Sequence, residues 1–215
     1  MPTPPQHPKI YHITHVDNLS AIIQAGELES QARMNQHGGP ATAVGLPDIK
    51  QSRLTLPVHC HPGDHVGDYV PFYFCSRSIM LYKLYMANDP NLPYKGGQGL
   101  IVHLEADLHT VVKWANKKGR RWAFSLSNAG SRYAEFRDDL ASLDEIAWPS
   151  VQSRYWSAPD IREGKQAEFL MHSSFPWQLV EQVGVHSMAA GRRATTAIAN
   201  ADHRPTIEIK TEWYY

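Results

Sequence analysis

Apolar and polar positions alternate in a few short stretches of this chain, and those stretches set out its elements. Lys9-Ile10-Tyr11-His12-Ile13-Thr14 has the period of two that a half-buried strand requires. Asp17 then reads as a helix cap, Leu19, Ile22 and Ile23 share one helical stripe, and Gly26 supplies the stop. Val70-Pro71-Phe72-Tyr73-Phe74-Cys75 predicts a strand, and Arg77 to Asn88 a helix capped by Ser76, with Met80, Leu81, Leu84 and Tyr85 on its buried side. Gly96-Gly97-Gln98-Gly99 turns into a strand over Leu100 to Leu104. Tyr133 to Leu143 looks helical, Pro176 and Trp177 open a short helix around Leu179 and Val180, and Val183-Gly184-Val185 follows as a strand. Residues 30 to 70 are polar and broken by glycine and proline, so they read as one long loop. Within it, Asp48 to Arg53 forms a helical turn that aims Arg53. An ordered loop of that length is often functional.

The stretch with most chemical content is Lys165-Gln166-Ala167-Glu168-Phe169-Leu170-Met171-His172. Side chains on a strand alternate faces, so Ala167, Phe169 and Met171 point one way, and Gln166, Glu168, Leu170 and His172 the other. Two readings are open from the octet alone. It is a strand with an amide and a carboxylate facing water, or a rigid strand that presents a catalytic carboxylate with a helper amide.

Several short strands mixed with a few helices argue an α+β fold with a single domain. The expected division is an N-terminal lead over residues 1–8, the domain over 9–190, and a weakly ordered C-terminal tail or edge strand over 191–215, closing with Thr206-Ile207-Glu208-Ile209. With 21 basic and 21 acidic residues the formal net charge is zero, so any affinity for nucleic acid has to be local. One basic patch stands out, from Lys113 to Trp122, with Trp114 and Trp122 at its flanks. It suits either a single-stranded nucleic-acid site or a solvated turn whose tryptophans pack inward. Arg154-Tyr155-Trp156, in a loop over Ser150 to Gly164, puts a cation and two aromatics in succession, a clamp for a flat ring. Cys60 and Cys75 are the only cysteines, which excludes a disulfide framework and favours a reducing cytoplasm. The first residues lack the basic and apolar regions of a signal peptide, and no apolar run approaches the roughly 20 residues of a membrane span. His59, His61 and His65 beside Cys60 fit no tetrahedral ligand spacing, so no metal is expected. The glycines at 96–99 precede a strand, unlike a phosphate-binding loop.

Taken in order, Tyr11-His12-Ile13-Thr14-His15-Val16-Asp17-Asn18-Leu19, Asp48-Ile49-Lys50-Gln51, Asp68-Tyr69-Val70-Pro71-Phe72-Tyr73-Phe74 and Gln166-Ala167-Glu168-Phe169-Leu170 resemble the His–Tyr–Glu class of mono-ADP-ribosyltransferases, and within it the DarT family of DNA ADP-ribosyltransferase toxins. The resemblance implies a single ADP-ribosyltransferase-like domain with split central β-sheets flanked by short helices. It implies NAD⁺ as co-substrate, no metal, and transfer of ADP-ribose to a base in single-stranded DNA. Glu168 and Arg53 are then the catalytic residues. His12, Ile13 and Thr14 hold the nicotinamide half, Tyr73 stacks on its ring, and Arg53 pairs with a phosphate or helps to activate the acceptor base. Arg154, Tyr155, Trp156, Gln166 and Asn128 face the DNA. Many thymidine-modifying relatives carry a histidine in the stretch Phe124 to Ala129, where Asn128 stands here. Thymidine and guanosine are therefore both open as targets. The resemblance further implies a monomeric toxin whose partner is an antitoxin with ADP-ribosyl-hydrolase activity, of macrodomain or NADAR type. The alternatives are transfer to RNA or protein, or a non-catalytic nucleic-acid-binding module of the same fold.

Overall fold

The structure is a computed structural model that describes residues 3–156 and 158–215. In chain order the strands are β1 (Lys9–His15), β2 (Glu27–Glu29), β3 (Tyr69–Tyr73), β4 (Ile101–Asp107), β5 (Trp122–Asn128), β6 (Phe136–Arg137), β7 (Ala167–His172), β8 (Ser174–Pro176), β9 (Gln182–Val185) and β10 (Thr206–Ile209). The helices are α1 (Leu19–Ala25), α2 (Gln31–Gln36), α3 (Pro47–Arg53), α4 (Ile79–Met86), α5 (Leu108–Lys117), α6 (Trp148–Gln152), α7 (Pro159–Gly164) and α8 (Met188–Ile198). Eight strands form one sheet in the order β10-β9-β4-β1-β3-β7-β5-β6, and β2 pairs with β8 beside it. None of the described helices is long and apolar enough to cross a membrane.

The large sheet is split in the middle. β1 runs in seven-residue register with β4, yet meets β3 at one pair, Tyr11 with Tyr73. β3 pairs over its whole length with β7 instead. Pro71 sits at the divergence. A residue in an antiparallel ladder points its N–H and C=O to the same neighbour, and the Pro71 carbonyl faces β1, where it accepts a hydrogen bond from His12 Nδ1 at 2.8 Å. The N–H that proline lacks would have pointed into the gap, so the residue costs no bond to β7.

The alternation along β7 is as expected. Ala167, Phe169 and Met171 lie in the main core, and Leu170 packs into a second cluster with Val58, Val66, Ala123 and Phe136. With both faces covered, Glu168 is 1% exposed, which rules out a carboxylate facing water.

Other expectations change. Asp17 caps nothing: the His15 ring accepts the Asp17 N–H, and α1 begins at Leu19 and ends on Gly26 in the left-handed region at φ 72°. The cap of α4 is Ser78, not Ser76. The polar stretch over residues 30–70 contains α2 as well as α3, α2 being capped by Ser30. Of the helix expected over Tyr133 to Leu143 only the end is helical, as a 3-10 helix over Leu140–Glu145; Ala134 and Phe136 are buried at strand spacing and Phe136–Arg137 pairs with β5. The loop over Ser150 to Gly164 carries α6 and α7 at its ends. The weakly ordered stretch expected from Gly191 is instead a helix, α8, that buries Ala190, Ala194 and Ile198 at four-residue spacing, followed by β10 in parallel pairing with β9.

The chain's last residues lock this edge. Tyr214 is 4% exposed, and its hydroxyl donates to the carbonyls of Ile101 on β4 at 2.8 Å and Gly184 on β9 at 3.1 Å. Burial raises its pKa, so the hydroxyl stays a donor. Tyr214→Phe should lower unfolding free energy by about 1 kcal/mol. Tyr214→Ala should lower it by about 3–5 kcal/mol, as for a large buried aromatic. Urea titration of the two variants checks both values.

Candidate active site

A cavity of about 500 Å³ opens beside the split, and its wall includes His12, Ile13, Thr14, Lys50, Arg53, Tyr73, Asn128, Gln166 and Glu168. Eight of these nine were singled out from sequence as site residues; Lys50 was not.

At its floor Arg53 Nη2 lies 2.5 Å from Glu168 Oε2, with the two side chains 15% and 2% exposed. α3 brings the arginine: Pro47 opens the helix at a position where its missing N–H is harmless, and Arg53 lies in the last turn. β7 brings the glutamate. Burial by itself would lower the guanidinium's pKa, but the Glu168 charge and hydrogen bond outweigh it and the net shift is upward. The Glu168 contact therefore favours the charged guanidinium.

Tyr73 stands directly across the ladder from Glu168, so the two side chains share a face. Burial, and then the Glu168 charge, raise the Tyr73 pKa, which keeps the phenol protonated. His12 uses Nδ1 to donate to Pro71, which leaves Nε2 as an acceptor. Burial lowers the His12 pKa, the Pro71 carbonyl opposes this, and the Lys50 charge lowers it further, so the ring is neutral. Thr14 Oγ1 accepts from Asn18 Nδ2 at 3.0 Å. Asn18 in turn exchanges two hydrogen bonds with the Thr42 backbone and ties the rim loop to β1.

Glu168 owes its position to a residue that sequence reasoning missed. Between the pairs Phe124–Phe169 and Asn128–Ala167, β5 advances four residues while β7 advances two. That irregularity interrupts the ladder opposite the Glu168 N–H, and the Ser125 hydroxyl takes the missing acceptor's place at 3.1 Å, donating its own proton to Ser127 O at 2.6 Å. The same irregularity turns Asn128 toward the cavity, where its Oδ1 accepts the Gly130 N–H at 2.9 Å. A buried serine within a strand carries no distinctive sequence signal.

The remaining candidates divide. Gln166 lines the cavity, and its Nε2 donates to Arg162 O at 2.9 Å. Arg154 and Tyr155 are exposed outside the cavity wall, and the Trp156 ring lies 5.3 Å from Lys165 Nζ. In the basic patch the tryptophans pack inward: Trp122 stacks on Phe169 at 6.1 Å and Trp114 packs on the core. Arg120 donates to Ser174, and Arg121 is paired with Asp64. The tryptophans thus give the patch no stacking platform, while Lys113, Lys117 and Lys118 stay exposed. Of the histidines, His61 donates through Nε2 to the Trp122 carbonyl, 2.8 Å away, and groups with Cys60 and Asp138 away from the cavity.

The family model described as "ssDNA thymidine ADP-ribosyltransferase, DarT" matches residues 11–215 of the chain. A DNA ADP-ribosyl transferase of Thermus sp. (strain 2.9) is 36% identical over 216 residues, covering 99% of this chain and 99% of that protein. Among solved structures, Thermus sp. 2.9 DarT in complex with ADP-ribosylated ssDNA superposes with a TM-score of 0.89 at 35% identity, covering 100% of this chain and 99% of that one. The same Thermus protein in complex with NAD⁺ gives a TM-score of 0.82 at 34% identity, covering 99% of this chain and 100% of that one.

Ser125→Ala leaves the buried Glu168 N–H without an acceptor. It should cost about 1–3 kcal/mol of stability, the price of one unsatisfied buried donor. Denaturant unfolding of Ser125→Ala beside a surface serine control, Ser20→Ala, checks it.

Proposed function

The chain belongs to the DarT family, described as ssDNA thymidine ADP-ribosyltransferase, and on that premise we propose that it transfers ADP-ribose from NAD⁺ to a thymine base of single-stranded DNA and releases nicotinamide. The observation that carries this reading is the Arg53–Glu168 pair at the floor of the cavity beside the sheet split. The cavity's volume lies within the range of cofactor-sized sites, about 300–1,000 Å³.

The reaction breaks the bond between nicotinamide nitrogen and ribose C1′, and the nitrogen leaves with the electron pair. Positive charge grows on the ribose, as in glycoside cleavage. Glu168 answers that charge. Its Oε2 is held by Arg53, and Oε1 takes no hydrogen bond from the described residues, so it is free to engage the ribose hydroxyls. Tyr73, on the same face, offers its ring to the nicotinamide, and His12 offers Nε2 as a fixed acceptor. In thymidine the ring nitrogen left to react is N3, which must lose its proton as it bonds C1′. Glu168 receives that proton, and the Arg53 cation stabilises the charge on the base as it leaves. Asn128 and Gln166 present amides, each donor and acceptor at once, to a pairing edge with the same alternation. Arg154, Tyr155 and Trp156 supply a cation and aromatic faces for the flanking strand.

N3 lies on the base's pairing edge, so the adduct prevents pairing. This supports a toxin role in the cytoplasm, with a partner that hydrolyses the new N-glycosidic bond, an antitoxin of macrodomain or NADAR type.

Incubation with NAD⁺ and single-stranded oligonucleotides of defined composition, followed by mass spectrometry, tests the reading. Thymidine-containing strands should gain one ADP-ribose, and Glu168→Gln should lower the rate by about 10²–10³ or more, the scale of losing one preorganised electrostatic contact. Labelling of guanosine strands alone would move the target to guanine, where Asn128 in place of histidine leaves room for it. Labelling of RNA or protein alone would reject DNA as acceptor.

A further inference from the structure

We infer that Lys165 is a positioning residue for the DNA acceptor: from the foot of the 150–164 loop its ammonium fixes that loop to the strand that carries Glu168. The inference rests on the DNA-acceptor reading above and deepens it, because Arg154, Tyr155 and Trp156 lie in this loop.

The lysine's surroundings are unusual for its type. It is 2% exposed, and lysine is almost never fully buried unless paired. Burial lowers its pKa, and the opposing influence comes from the Cys75 thiol, with no carboxylate taking part. Burial also pushes that thiol up, so the group beside the ammonium is neutral. An apolar side chain of the same length would fill this space without the desolvation of a charge. It would lack directed donors, and the ammonium has three of them to share among three neighbours. Nζ donates to the Val151 carbonyl at 2.9 Å, lies 5.3 Å from the centroid of the Trp156 ring, and meets the Cys75 sulfur.

These neighbours tie the loop together at its base. Val151 lies in α6, at the start of the loop, and Lys165 caps α7, at its end. Gly164 is pressed against the same helix: a Cβ there would lie 2.8 Å from Ala147 Cβ and 2.9 Å from Ser150 Cβ. Two consecutive residues thus draw the loop shut, and the next three are Gln166, Ala167 and Glu168. At the exposed tip the contact is local, the Tyr155 N–H donating to Ser153 Oγ at 3.1 Å. The ammonium beside the Trp156 ring links that tip to the catalytic strand through a cation–π attraction, which desolvation strengthens. A loop held in place beforehand pays less ordering cost when the single strand binds.

The test is transfer kinetics of the whole chain, with a thymidine-containing single strand varied at saturating NAD⁺ and NAD⁺ varied at saturating strand. Lys165→Met keeps the stem and removes the donors. It should raise KM for the strand by about 10-fold, the scale of ordering one or two side chains on binding. KM for NAD⁺ and kcat at saturating strand should match the wild type. Lys165→Arg, which keeps a cation with donors, should recover most of the loss. Trypsin should cut after Arg154 faster in Lys165→Met than in the wild type, a reading of the loop that does not depend on activity. Gly164→Ala, which pushes α7 off α6 with the lysine intact, should reproduce the strand-specific rise, and it decides by the same criteria where Lys165→Met does not fold. Equal strand KM in Lys165→Met and wild type overturns the proposal while leaving the DNA reading intact. Equal rises in both KM values overturn it too, since the defect then lies in the Glu168 strand. A wild-type chain that modifies no single strand rejects the parent reading and this one together.

Discussion

A guanidinium and a carboxylate, 15% and 2% exposed, are held against each other where the sheet divides, and most of the surrounding structure answers to them. Taking two charges out of water costs several kcal/mol per ion, and their attraction repays it only when geometry and extra hydrogen bonds are good. An apolar pair of similar volume would often be more stable. The neighbourhood is built to keep the ionic pair nevertheless. Ser125 satisfies the Glu168 backbone, Tyr73 stands across the ladder from Glu168, and the α3 helix ends on Arg53. Losing either partner would leave the other as a buried, uncompensated charge, at a cost of about 3–5 kcal/mol. Stability and chemistry are thus coupled at one contact between residues 115 positions apart.

The split is the second half of the same arrangement. A fully zipped β1–β3 ladder would bury the backbone groups that the cavity needs to expose, and would close over the pair. Pro71 prevents zipping because it has no N–H to offer β1, and its carbonyl is given to His12 instead. Beyond the single Tyr11–Tyr73 pair the strands diverge, and cavity wall replaces ladder. His12 does two things with one ring: it satisfies the orphan carbonyl and is thereby fixed as a neutral acceptor. The stability lost in the middle of the sheet is recovered at its edge, where α8, β10 and Tyr214 close over β9 and β4.

Much of this was legible in the sequence because it is local. Alternation over residues 165–172 separates Glu168 from the core set Ala167, Phe169 and Met171, and Gly26 marks a helix end. Where the reading failed, the local pattern was weak or misleading. α2 has six residues and buries none, so it has no stripe to detect. α8 packs through Ala190 and Ala194, side chains too small to register as an apolar face. Tyr133 to Leu143 places apolar residues at spacings that suit a helix, yet Tyr133 is 92% exposed and the buried pair Ala134 and Phe136 has strand periodicity. Ser125 was invisible for a different reason: it matters through a partner, the Glu168 N–H, that only the folded chain brings near.

Charge distribution bears on how a protein of zero formal charge can act on DNA. Non-specific affinity for nucleic acid grows with the number of phosphates neutralised. Here Arg120 and Arg121 are spent on Ser174 and Asp64, and Arg53 on Glu168. Arg154 stays exposed next to Tyr155, which is 77% exposed. Lys113, Lys117 and Lys118 stay exposed, so the charge available to a phosphate backbone is local and small in number. Stacking of unpaired bases on aromatic side chains adds a term that does not grow with charge, and duplex DNA, whose bases are stacked and paired, offers no such face.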